Sequence, residues 1–235
     1  YLLLTTCKRG RAGGFMTGDF IVMKEKEKKK QVRKIRRRVR HLKWFPSYQE
    51  FSEIGIKGRR NEKERYRYLT FTLCRDKIVA DYGCNLGQTS VKAAKAGAVR
   101  VIGMDCQEDT LEVAKTIKDV LEITNLEFHV IDFNAHGFTR GALEIFGDDI
   151  PDISFFLSVY RTKELRDRDA LFKFIIENTR EMIFFEGHSD RKIDTVGYYE
   201  DVFRRFGVEY RFLGFSQGNT RPLFTVIPQS RRTAR

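Results

Sequence analysis

Asp81, Gly83, Gly87 and Asp105 fall within residues 77–107, KIVADYGCNLGQTSVKAAKAGAVRVIGMDCQ, in an order suited to binding an adenosine-bearing ligand. One apolar run ends at Asp81, two glycines four residues apart precede a helical pattern, and a second apolar run ends at Asp105. Glycine allows a tight turn and a close approach to a ligand, because no Cβ takes up that space. A carboxylate closing the second strand can accept hydrogen bonds from both hydroxyls of a ribose. Dinucleotides and S-adenosylmethionine both carry adenosine, so these features leave both open. Asp81 separates them: a carboxylate beside a pyrophosphate would be repelled, whereas the sulfonium and α-amino groups of S-adenosylmethionine are cationic. The spacing also departs from Gly-x-Gly-x-x-Gly, with Asn85 between the two glycines.

The elements that must position these residues follow from hydrophobic period. Strand patterns at 77–81, 99–105, 126–132, 152–159 and 182–186 alternate with helical patterns at 88–96, 108–123, 163–178 and 195–206, and a short helix is expected near 139–146. Strands separated by helices predict an α/β, doubly wound, mostly parallel sheet. Residues 208–215 and 222–228 are joined by SQGNTR, too short for a helical crossover, and predict a terminal antiparallel hairpin that completes a seven-stranded sheet. A nicotinamide-binding domain has no reason to end this way.

The stretch VADYGCNLGQTSVKAAKAGAVRVIGMD resembles the first two motifs of class I S-adenosylmethionine-dependent methyltransferases, the first being acidic residue-x-Gly-x-Gly-x-Gly. Asp81, Gly83 and Gly87 match, and Asn85 replaces the middle glycine, which a residue tolerant of left-handed backbone permits. The resemblance covers roughly residues 76–229. It implies the Rossmann-like methyltransferase fold and S-adenosylmethionine as cofactor, with Asp81 and the Gly83, Cys84, Asn85, Gly87 loop at the methionine moiety. It also implies Asp105 at the ribose, Cys106, Gln107, Asp132 and Phe133 around the adenine, and Ser158, followed by Val159 and Tyr160, at the active-site edge. The fourth strand lacks Asn-Pro-Pro-Tyr, which disfavours adenine or glutamine N-methylation by that motif.

Outside the resemblance, FFEGHSD places Glu186 and His188 just after the fifth strand, and they are expected as acceptor-side catalytic groups that could deprotonate a hydroxyl. Arg161, Lys163 and Glu164 suit either a substrate contact or a solvated helix start. His129, within a strand, reads as structural, and His136 as a residue near the site. No three-residue metal set emerges, so no metal is expected.

The formal net charge of +12 is unevenly distributed. Residues 24–40 hold eleven Lys or Arg against two Glu, the tail 230–235 adds three Arg, and residues 1–23 add +2 from Lys8, Arg9, Arg11 and Asp19, leaving residues 41–229 near −2. Any polyanion affinity therefore belongs to the arms. Residues 1–23 are expected as a disordered or non-native leader, with Met23 a plausible start. Residues 24–75 are expected as a basic helical extension, carrying helices at 32–42 and 61–73. Trp44, Phe45, Tyr48 and Phe51 are expected to pack on the domain or roof its site. Four scattered cysteines without Cys-x-x-Cys, and no apolar run long enough to span a bilayer, imply a cytoplasmic enzyme. The acceptor is expected to be a small molecule, sugar or lipid-linked substrate on oxygen or nitrogen. RNA delivered by residues 24–40, a nucleotide-cofactor oxidoreductase and a binding-only domain are the alternatives.

Overall fold

Five short apolar runs, β1 (Ile78–Tyr82), β2 (Arg100–Asp105), β3 (Leu126–Val130), β4 (Ile153–Leu157) and β5 (Met182–Glu186), form the parallel part of one sheet in the computed structural model. It describes residues 24–42, 49–58 and 62–228. The hairpin β6 (Glu209–Ser216) and β7 (Arg221–Ile227) completes the order β3-β2-β1-β4-β5-β7-β6, with β7 antiparallel to both β5 and β6. The expected seven-stranded α/β sheet is therefore what the chain adopts. Strand order reverses between β1 and β4, and in open α/β sheets such a switch point opens a crevice beyond the carboxyl ends.

Both faces are covered, which is why the parallel strands are apolar on both sides. Helices α1 (Glu25–Val39), α3 (Gln88–Lys95) and α4 (Glu108–Val120) pack one face, where Val79, Val101, Leu111 and Phe155 are buried. Helices α5 (Phe138–Phe146), α6 (Arg168–Glu177) and α7 (Val196–Phe206) cover the other. There Phe156, Phe172, Phe185, Tyr199, Phe203 and Phe224 form an aromatic core with rings in edge-on and stacked contact. Each fully buried Phe contributes about 1.5–3 kcal/mol by area, so this face anchors the elements that carry the β4–β7 side of the crevice.

The basic helix α1 is docked by its narrow apolar stripe. Ile35 and Val39 are buried in the core, and Arg36 Nε donates to the Ile54 carbonyl at 2.9 Å. Lys29, Arg33, Lys34 and Arg37 remain exposed. Phe51 is buried as well, whereas Trp44, Phe45 and Tyr48, like residues 1–23 and 229–235, lie outside the described residues. No helix among the described residues is long and apolar enough to cross a membrane.

Two expected helices are shorter than their periodicity suggests. The pattern over 61–73 breaks into α2 (Glu62–Tyr66) and a separate 3-10 turn, Phe71–Cys74. Tyr66 and Leu69 still reach the core, but Leu73 is 44% exposed. Thr70 and Thr72, β-branched and weak helix formers, fall where the helix would have continued. Helix α6 begins at Arg168 rather than near 163, because the Asp167 carboxylate caps it by accepting from the Ala170 amide at 2.9 Å. Residues 161–166 are thereby freed as a loop.

Gly83 and Gly87 have positive φ values of 72° and 78°. A Cβ on Gly87 would overlap the Phe128 ring of β3, and one on Gly83 would overlap Val159 after β4. The glycines thus admit neighbouring side chains under the turn, a packing reason where sequence suggested clearance for a ligand. Gly87→Ala is expected to destabilise the chain by about 2–5 kcal/mol, combining left-handed backbone strain with overpacking. Denaturant unfolding measures this, and a loss under about 1 kcal/mol would show that Phe128 yields freely.

Candidate functional site

The crevice beyond β1, β4 and β5 encloses a cavity of about 700 Å3. Its β1–β3 wall is built by backbone turns. Asn85, held at φ 54°, directs its amide N–H to Asp105 Oδ2 at 2.9 Å, and the Gln107 amide donates to Asp105 Oδ1 at 3.0 Å. One carboxylate therefore ties the loop after β1 to the loop after β2 while still lining the cavity. Burial pushes its pKa above the ordinary carboxylate value, opposed by those backbone N–H groups. Gly83, Cys106, Gln107, Asp132 and Phe133 line the same wall.

Asp81, Cys84 and Gly87 are not among the lining residues. Asp81 is 3% exposed behind the loop, where Oδ2 accepts from Ser90 Oγ at 2.6 Å. Burial raises its pKa to about 6, although the Ser90 hydrogen bond and Arg65 oppose the shift. Cys84 is buried, and burial lifts its thiol well above the usual range, so it is inert. At the N-terminus of α3, where a dinucleotide's pyrophosphate would rest, Gln49 intervenes. Its Oε1 accepts from the Gln88 amide at 3.0 Å, and its Nε2 donates to the Cys84 carbonyl at 3.0 Å.

The opposite wall is organised by Glu186, which has no exposed surface. Arg65 grips it through two nitrogens, Nε to Oε1 at 2.9 Å and Nη2 to Oε2 at 2.5 Å, and also donates to Glu62 at 3.1 Å. Ser158 Oγ donates to Oε2, Ser216 Oγ donates to Oε1 at 2.6 Å, and Arg221 Nη1 lies 4.0 Å from Oε2. Burial pushes the Glu186 carboxyl up, but Arg65 and the hydroxyl donors outweigh it and hold it down at about 2. A carboxylate so low and so fully engaged is a poor proton acceptor, which argues against the general-base role expected from its position. Ser158, at φ 60°, lines the cavity in its place.

His188 does line the cavity. Its backbone N–H donates to the Tyr199 hydroxyl at 3.0 Å, which donates to Asp194 Oδ1 at 2.7 Å. Arg161 Nε meets the same oxygen at 2.8 Å, so the loop after β5 is folded around one buried carboxylate. His136 is exposed and not among the lining residues, and His129 sits in β3, 3.3 Å from Glu127. Among the described residues no group of three His, Cys, Asp or Glu is placed to hold a metal.

Gln49, Glu62, Arg65, Asp194 and Arg221 are site residues that sequence reasoning missed. Glu62 and Arg65 sit in a charged helical pattern, and Arg65 pairs with Glu186, 121 residues away. The one available signal was Ser216 and Arg221 flanking the terminal hairpin at the same sheet edge.

A protein-family profile described as a methyltransferase domain matches residues 74–149. Among solved structures, the chain is similar to WbdD, described as a bifunctional kinase-methyltransferase. The match has 19% identity and a TM-score of 0.62, covering 82% of this chain and 46% of that one. It is also similar to the N-terminal domain of EvdMO1, solved in the presence of SAH and D-fucose, with 15% identity, a TM-score of 0.61, and coverage of 91% and 100%. A third likeness is magnesium protoporphyrin IX methyltransferase from Synechocystis PCC 6803 with bound SAM, with 15% identity, a TM-score of 0.53, and coverage of 72% and 79%. The chain thus spans a little under half the length of WbdD, and at these identities the solved structures show a shared fold.

Arg65→Ala should strand Glu186 without its counter-charge and destabilise the chain by about 3–5 kcal/mol, the usual cost of breaking one side of a buried pair. Because the folded Glu186 lies near 2 against an ordinary 4.5, its contribution is full above 4.5 and disappears as pH falls through 2. Acid unfolding of Glu186→Gln should lack that loss. An identical pH profile for wild type and variant would show that the pair does not hold the fold.

Proposed function

We propose that the chain is a class I S-adenosylmethionine-dependent methyltransferase that methylates an oxygen or nitrogen of a small-molecule, sugar or lipid-linked acceptor. The observation that carries the cofactor assignment is Asp105, fixed by two backbone N–H groups and still facing the cavity. When bound, the cofactor supplies an electrophilic methyl group on a sulfonium that leaves as a neutral thioether.

The chain's own residues suit that group. Asp105 would take the ribose hydroxyls, and Cys106, Gln107, Asp132 and Phe133 would enclose the adenine. The turn at Gly83 and Asn85, with Ser158 opposite, would border the methionine portion. Asp81, out of contact behind the turn, contributes negative potential where the cofactor is cationic. Gln49 on the amide of Gln88 occupies the place a pyrophosphate would need, which disfavours the oxidoreductase alternative. Alignment of acceptor and methyl would supply most of the remaining rate, and His188, which lines the cavity, would take a proton from a neutral hydroxyl or amine. Glu186 anchors Arg65 and Ser158 rather than reacting. Free Cys74, Cys84 and Cys106 accord with a reducing cytoplasm.

A second reading, RNA as acceptor, is favoured by the exposed cations of α1. Since Ile35 and Val39 belong to the core, the arm cannot be cut away cleanly, and charge reversal is the sound test. Replacing Lys29, Arg33 and Arg37 by Glu should leave methylation of a small acceptor intact; a collapse of RNA retention and its salt dependence would support the RNA reading.

Asp105→Ala should weaken binding of S-adenosylhomocysteine by about 1.5–3 kcal/mol, the range for hydrogen bonds to a charged group. Calorimetric titration showing an unchanged affinity would remove Asp105 from the ribose, and a methyl-acceptor screen would then identify the substrate. The raised Asp81 value of about 6 gives a pH test. A nearby cation favours ionised Asp81, so affinity for S-adenosylmethionine should fall as pH drops below about 6 and lose that dependence in Asp81→Asn. In the cofactor-free chain the sign reverses: Asp81's contribution to stability is full below 3.8 and lost as pH rises through about 6, so Asp81→Asn should be the more stable at pH above that value.

A further inference from the structure

We propose that Arg221 is the centre of an oxyanion subsite that selects methyl acceptors carrying a carboxylate or phosphate group. The inference rests on the methyltransferase reading above and specifies the substrate class for the same cavity.

Arg221 opens β7, is 9% exposed, and lines the cavity beside Ser158, whose Oγ accepts from Nη1 at 2.5 Å. That neutral hydroxyl is its direct hydrogen-bond partner among the described residues. The nearest carboxylate, Glu186, stands 4.0 Å away and is already committed to Arg65, Ser158 and Ser216. Arg65 in turn is shared between Glu62 and Glu186. A guanidinium presents a fork of N–H donors matched to carboxylate and phosphate, and the Ser158 hydroxyl takes a single one of them. Burial lowers the Arg221 pKa, and although Glu186 opposes this, Arg65 adds to it, the reverse of the upward shift at Arg65. The environment leaves room for another negative charge.

The arrangement of the walls agrees. Arg65, Arg161, Lys163 and Arg221 stand on the side of β4, β5, β7 and α2 together with Glu62, Glu164, Asp190 and Asp194, while the wall after β1, β2 and β3 carries Asp105 and Asp132 and no Lys or Arg. Those four carboxylates each have partners within the protein: Glu62 accepts from Arg65, Glu164 from the Thr162 hydroxyl, Asp190 from the Lys192 amide, and Asp194 holds Tyr199, the Asp190 amide and Arg161. Arg161 lies over the Tyr198 ring and meets Asp194 through Nε. Arg161 lines the same side of the cavity.

The test uses the full chain saturated with S-adenosylhomocysteine and titrated calorimetrically with inorganic phosphate and, separately, acetate. At least one anion should bind, and the preferred one separates a phosphate from a carboxylate acceptor. Arg221→Gln should weaken that binding by more than about tenfold while leaving S-adenosylhomocysteine affinity within about twofold. Arg161→Gln, at a site with 20% side-chain exposure, should weaken the anion by a smaller factor and keeps the test decisive if Arg221→Gln does not fold. Neither anion binding the wild-type complex would overturn the inference, whereas failure of S-adenosylhomocysteine itself to bind would overturn the methyltransferase reading instead. If Arg221→Gln weakens S-adenosylhomocysteine but not 5′-methylthioadenosine, the guanidinium holds the cofactor's carboxylate and the acceptor assignment fails.

Discussion

A carboxylate with no solvent exposure cannot stay charged unless the protein surrounds it, and Glu186 sets that requirement for the whole crevice. Its partners come from four separate parts of the chain: Arg65 from α2, Ser158 after β4, Ser216 at the end of β6, and Arg221 at the start of β7. Satisfying one anion thus fixes how the N-terminal extension sits on the sheet and how the terminal hairpin closes it. Removing any partner leaves a buried charge under-compensated, so these elements fold around the site as a unit. Such a hub costs desolvation energy that an apolar core would avoid, and its return is a defined geometry at the cavity wall.

The second consequence is a division of charge. The β1–β3 wall is acidic and built from backbone turns, with Asp105 tying two loops together and Asp81 behind them. The β4–β7 wall carries the guanidinium groups. On the proposed reading, the cofactor's sulfonium would face the acidic wall and an anionic acceptor the guanidinium of Arg221, with Ser158 between them. On that reading orientation would supply most of the catalysis, since a sulfonium needs little further activation.

The parallel sheet, the terminal hairpin and the glycine turn were legible because each is encoded locally: apolar period, linker length, and glycines next to acids. Cavity-lining positions at Asp105, Gln107, Asp132 and Ser158 follow from strand ends for the same reason. What local sequence could not carry is partnership across the fold. Glu186 looked available because a carboxylate after β5 faces the ligand edge, yet Arg65 claims it from 121 positions away. Gly87 looked like ligand clearance, but Phe128, on a strand two places removed, is what needs the space. Gln49 lacked any signature at all, since a side-chain amide capping a distant helix leaves no period behind.

The most direct test of the central claim is a crystal structure of the chain grown with S-adenosylhomocysteine. It should place both ribose hydroxyls on Asp105, the adenine between Gln107 and Phe133, and Gln49 still bound to the Gln88 amide. A ribose away from Asp105, or a ligand that displaces Gln49 to reach the α3 N-terminus, would contradict the account.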